Sequence, residues 1–82
     1  MIDSKTVHEV LRPYLFEPNT KALRAEMVAA LEDMGPNIVA EDRTTGTMIV
    51  HGACCFRVTD GLKSYEVTYG PGYPHFQTEE IR

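Results

Sequence analysis

Apolar side chains recur along this chain at two different periods, and the switch between them falls near residue 37. Before it, Val7, Val10 and Leu11, then Leu23, Met27, Ala30, Leu31 and Met34, return every three or four residues, the spacing that gathers side chains on one helix face. After it the period drops to two. In residues 47–58 the even positions Met48, Val50, Cys54, Phe56 and Val58 are apolar, as in a strand with one buried face. The pattern predicts an α+β domain in which two N-terminal helices pack on a small antiparallel sheet of about three strands, in the order α-α-β-β-β.

Local signals set the expected boundaries. Asp3 can cap a first helix over residues 2–12, with Ile2 stapled onto Val7, and Pro13 disfavours helical geometry at Arg12. Tyr14, Leu15 and Phe16 then read as an apolar knot filling the core where the helices meet. Pro18 keeps its predecessor extended, Asn19 is the expected cap, and a second helix starts near Thr20 with Lys21, Arg24, Glu26, Glu32 and Asp33 on its wet side. Gly35 is expected to supply the left-handed residue that ends it, and Pro36 to prevent its resumption.

Residues 38–40 read as a short strand and residues 41–46 as a loop before the long strand over 47–58. Asp60-Gly61 is a two-residue hairpin signal, since a type I′ turn needs positive φ at both central positions. A turn there places Thr59 opposite Leu62, Phe56 opposite Tyr65, Cys54 opposite Val67 and Gly52 opposite Tyr69, with Arg57 diagonal to Glu66. The run Gly70-Pro71-Gly72-Tyr73-Pro74 breaks the sheet, so residues 1–72 form one domain and residues 73–82 a C-terminal tail or arm. Such a tail is either a frayed end or an arm whose Tyr73, His75, Phe76 and Ile81 bind a neighbouring subunit by strand addition.

Composition narrows the function classes. With 82 residues, 43% hydrophobic and 24% charged, there is material for one modest core, whose stability a partner subunit could raise. A net charge of −4 without any basic run argues against nucleic acid. The polar start MIDSKTVHEV lacks the features of a secretion signal, and no stretch is long enough to span a bilayer, so an intracellular protein is expected. Cys54 and Cys55 would point to opposite strand faces and suit neither a disulfide framework nor a metal clip. His8, His51 and His75 lack the spacing of a metal motif. His51 and Cys55 sit too far apart along one strand for a thiol nucleophile and its base. Glu41 and Asp42 are turn carboxylates, and the glycines of YGPGYP open no helix that could hold phosphate. The expectation is no enzyme, no cofactor, no metal and no small-molecule substrate.

The stretch LRPYLFEPNTKALRAEMVAAL, Leu11 to Leu31, resembles a segment of contractile phage tail sheath proteins and of the related sheath-initiating baseplate proteins, where an LFEPN phrase opens a helix followed by strands. It covers a quarter of the chain. The initiator-like proteins carry a tryptophan-containing phrase after that helix, whereas this chain has no Trp and reads MGPNIVAED. The resemblance implies a small structural or assembly protein, a phage tail or virion component in a virion or host cytoplasm. Its sheet edges and tail would meet neighbouring subunits, homo- or hetero-oligomeric, by strand addition. A second reading is a small intracellular inhibitor or adaptor that binds a host or viral protein through its acidic face and hairpin.

Overall fold

In the computed structural model, which describes residues 2–70 and 77–81, Asp3 caps the first helix, α1 (Ser4–Leu11), by accepting from the Thr6 amide. Ile2, Val7 and Leu11 are buried, so the staple and stripe expected of this helix are in place. A single 3₁₀ turn, Arg12–Tyr14, carries the chain past Pro13. The second helix, α2 (Lys21–Glu32), is capped by Thr20, whose hydroxyl accepts from the Leu23 amide. Asn19 therefore is not the cap, and its side chain is spent elsewhere. Met27 and Leu31 are buried and Leu23 and Met34 half-buried, as the periodicity requires. Gly35 does not take left-handed geometry, because only Gly52 and Gly61 have positive φ among the described residues. The helix instead unwinds through three-residue bonds, Met34 N–H to Leu31, Gly35 N–H to Glu32 and Ile38 N–H to Gly35.

The sheet is a four-stranded antiparallel meander: β1 (Val39–Asp42), β2 (Cys54–Thr59), β3 (Ser64–Tyr69) and β4 (Gln77–Ile81), each paired with its sequence neighbour. It thus has one strand more than the sequence suggests, because part of the expected tail closes back on β3, with Ser64 opposite Ile81 and Val67 opposite Thr78. This addition happens within the chain. Tyr73, His75 and Phe76 lie outside the described residues.

Glu41 and Asp42, expected in a turn, lie in β1 opposite Arg57 and Phe56, and two larger expectations for this sheet are corrected. Residues 47–50 do not belong to a long strand but to a short helix, α3 (Gly46–Val50). Thr45 caps it by accepting from the Met48 amide, and Gly52, at φ 74°, closes it: the Gly52 amide donates to Ile49 and the Ala53 amide to Met48. Capping at both ends overrides the alternation of apolar residues. The second correction is the hairpin register. Thr59 faces Ser64, Phe56 faces Val67 and Cys54 faces Tyr69, two residues away from the expected pairing. The loop has four residues because Asp60 accepts from both the Leu62 and Lys63 amides, at 2.8 Å each, while its own amide donates to Lys63. Gly61 still takes a positive φ, 92°. A shift of two preserves which face each side chain occupies, so Phe56, Val58, Tyr65 and Val67 still meet the helices. Arg57 lies directly opposite Glu66 rather than diagonal to it.

The core is one cluster: Val7 and Leu11 from α1, Met27 and Leu31 from α2, and Phe56, Val58 and Val67 from the sheet. No helix among the described residues is long and apolar enough to cross a membrane.

Candidate functional site

The LFEPN stretch is tied to the sheet by a polar network as well as by Leu15, which packs against the core. Arg24, expected in water, is buried at 7% exposure on the core side of α2. Its Nε donates to Asp42 at 2.9 Å and its terminal nitrogen to the Asn19 side chain at 2.6 Å. The Asn19 amide nitrogen in turn donates to the Ala53 carbonyl at 2.9 Å. Asp42 also accepts from the Thr44 amide. Burial pushes the Asp42 carboxyl up, but the bonds from Thr44 and Arg24 outweigh it and hold it below the usual range. The network thus clamps the start of α2 to the end of β1 and the start of β2. A signal for it existed: residues 24, 27 and 31 share a helix face, so Arg24 is in line with Met27 and Leu31. These partners are structural: Arg24, Asn19 and Asp42 bond to one another and to adjacent backbone.

Burial drives the Cys54 thiol up to about 11 and pushes Cys55 in the same direction. The two side chains do point to opposite faces, and both are buried. His51 is exposed at the end of α3 rather than on the strand of Cys55. No group of three or more His, Cys, Asp or Glu among the described residues could hold a metal ion. The crevice beside Tyr14, Asn19, Leu23 and Tyr69 encloses only about 20 Å³, too little for a substrate.

The molecule also offers surface. One sheet face receives the helices. The other carries a cross-strand row, Glu41, Arg57, Glu66 and Glu79, with Arg57 3.4 Å from Glu66 and a second ion pair between Arg43 and Glu41. Exposed pairs of this kind contribute little to stability.

The ends of the sheet are less polar than this face. Phe16, expected in the core, is 90% exposed, and Val50 is 82% exposed. Asn19 and Ala53, bonded to each other, place the Phe16 turn and α3 at the same end. The opposite end is fixed by the Ile2 amide, which donates to Asp60 at 3.1 Å. There a cleft of about 490 Å³ runs between Ile2, Met34, Ile38 and Leu62, the last 83% exposed.

Of the residues singled out from sequence, Asn19 joins the Arg24 clamp, Asp60 and Gly61 form the β2–β3 loop, and Gly35 lines the cleft. Ile81 is half-buried in β4. Phe16 faces outward and Arg24 inward, each the opposite of what its pattern predicts. Compared with family models, with curated proteins and with solved structures, the chain matches none.

Proposed function

We propose that the protein is a small structural or assembly component that works through protein–protein contact, and that it serves in a phage tail or virion, in a particle or the host cytoplasm. The observation that carries the contact reading is the exposure of large apolar side chains at both ends of the sheet, Phe16 and Val50 at one and Leu62 at the other. Leaving a Phe or Leu side chain in water forgoes roughly 1.5–3 kcal/mol each, which a partner surface recovers. The phage assignment draws on the resemblance of the Leu11 to Leu31 stretch.

Strand addition remains part of the reading, at a different place. Because β4 fills the edge of β3, an incoming strand would meet the outer edge of β4 or that of β1. The β1 edge is partly covered, since the Ala40 amide donates to the Glu32 carboxylate at 3.2 Å.

Cross-linking and mass spectrometry of purified particles test the proposal. Cross-links from β4 or from the Phe16 turn to other particle subunits are the expected outcome. A chain never found in particles counts against it, and recovery with one stoichiometric host protein points instead to an inhibitor or adaptor.

A further inference from the structure

The two ends of this domain differ in shape and in charge, and the differences match. At one end Phe16 projects almost fully into solvent. At the other, the cleft between Ile2, Met34, Ile38 and Leu62, lined also by Thr6, Asn37 and Asp60, is more apolar than polar and, at about 490 Å³, has room for a phenyl ring. Around the cleft, residues 2–6, 32–38 and 60–63 carry the acids Asp3, Glu32, Asp33 and Asp60 against the bases Lys5 and Lys63. Around Phe16, residues 12–24 and 42–53 carry Arg12, Lys21, Arg24 and Arg43 against Glu17 and Asp42. One end is thus net negative by two and the other net positive by two. Including the ion-pair partners Glu80 and Glu41 leaves the signs opposite. The dipole of α2, the longest helix, runs in the same sense, with its positive terminus on the Phe16 side.

Resting on the contact reading above, we infer that the protein associates with a second copy of itself head to tail, Phe16 of one chain entering the Ile2–Met34–Ile38–Leu62 cleft of the next. The surfaces are different patches of one chain, so the interface is heterologous and each added copy presents a fresh Phe16 or a fresh cleft. The opposed end charges favour this orientation over head-to-head or tail-to-tail contact.

Two variants and their mixture test it. Phe16→Asp removes the aromatic ring while leaving the cleft intact. Gly35→Arg places a long cation in the cleft while leaving Phe16 intact. Gly35 has no positive φ, and an added Cβ would meet only Ile38 Cγ1 at 3.5 Å, an ordinary contact, so the substitution is compatible with the fold. Circular dichroism melts confirm folding of each. In sedimentation velocity over a concentration series, the mass of the full wild-type chain should rise with concentration, and less so at high salt. Each variant alone should need at least about tenfold more protein to associate, the loss expected of an anchoring aromatic side chain or of its pocket. An equimolar mixture should form a one-to-one heterodimer and nothing larger, since just one intact pairing remains. A monomeric wild type, association unchanged by Phe16→Asp, or a mixture that fails to pair would overturn the inference. A monomer that still cross-links within particles would overturn this inference alone and leave the assembly reading standing. Self-association by a chain absent from particles would do the reverse.

Discussion

Replacing Arg24 with Met keeps most of the side chain's volume in the core and deletes its charge. Two hydrogen bonds vanish, one to Asp42 at 2.9 Å and one to Asn19 at 2.6 Å. Bonds to charged groups contribute about 1.5–3 kcal/mol each, and breaking a fully buried pair costs about 3–5 kcal/mol. The Asp42 side chain is 32% exposed and can recover water, which lowers the expected cost to about 2–3 kcal/mol. For a domain of this size, holding about 4–12 kcal/mol in total, that is a large share. The melting temperature should fall by roughly 10–20 °C. Urea unfolding followed by circular dichroism gives the free energy. Lys21→Met, at an exposed position on the same helix, is the control and should stay within about 0.5 kcal/mol of wild type. Asp42→Asn and the double variant complete a cycle, with an expected coupling of at least about 1 kcal/mol. If Arg24→Met costs no more than the control, or the coupling is zero, the polar network does not hold α2 to the sheet.

Three further outcomes are expected. Amides of Lys63, Leu62 and Ile2 hold the Asp60 carboxyl down to about 2, so its contribution to stability is complete above the ordinary carboxylate value and lost as the pH falls toward 2. Melting temperatures measured across that acid range should drop more for wild type than for Asp60→Asn, and parallel curves would contradict the assignment. Neither cysteine should react with a thiol-specific disulfide reagent at mildly alkaline pH until denaturant is added, because burial raises both thiols; fast labelling of the native protein would refute this. Gly61→Val should destabilise by about 1–2 kcal/mol in urea unfolding through the strain of a β-branched residue at φ 92°, although nothing lies within 4 Å of its added Cβ. No change there would mean that the loop relaxes freely.

The helices and the inward sheet face were legible because burial imposes a period, and Val7, Leu11, Met27, Leu31, Phe56, Val58 and Val67 all keep to it. Periodicity failed where hydrogen bonding decides. Met48 and Val50 alternate as in a strand, yet Thr45 and Gly52 cap a helical turn around them. Asp60-Gly61 has the composition of a two-residue turn, yet the Asp60 carboxylate reaches two amides further along and widens the loop to four. Because that widening shifts the register by an even number, the face assignment survived an incorrect pairing. The candidate surfaces were harder to read. Phe16 lies in an apolar run and so reads as core, and its exposure follows from the turn between the helices, which no single residue type announces. Arg24 reads as surface by its charge, and only its alignment with Met27 and Leu31 suggests otherwise.

The meander order of the sheet bears on how the chain reaches its native state. Every strand hydrogen-bonds to its sequence neighbour, so no pairing has to wait for a distant segment. Loop closure is short at each step, and topologies of this local kind fold on roughly the millisecond scale or faster. The cluster around Phe56 draws on α1, α2 and β1 to β3 and on no residue of β4, so the core can close before β4 pairs with β3. Until then the outer side of β3 is an open template, and Glu79 and Glu80 place charge on the strand that finally closes it. Crowded chains would therefore be most exposed to mispairing in that interval, and prompt pairing of β4 limits it.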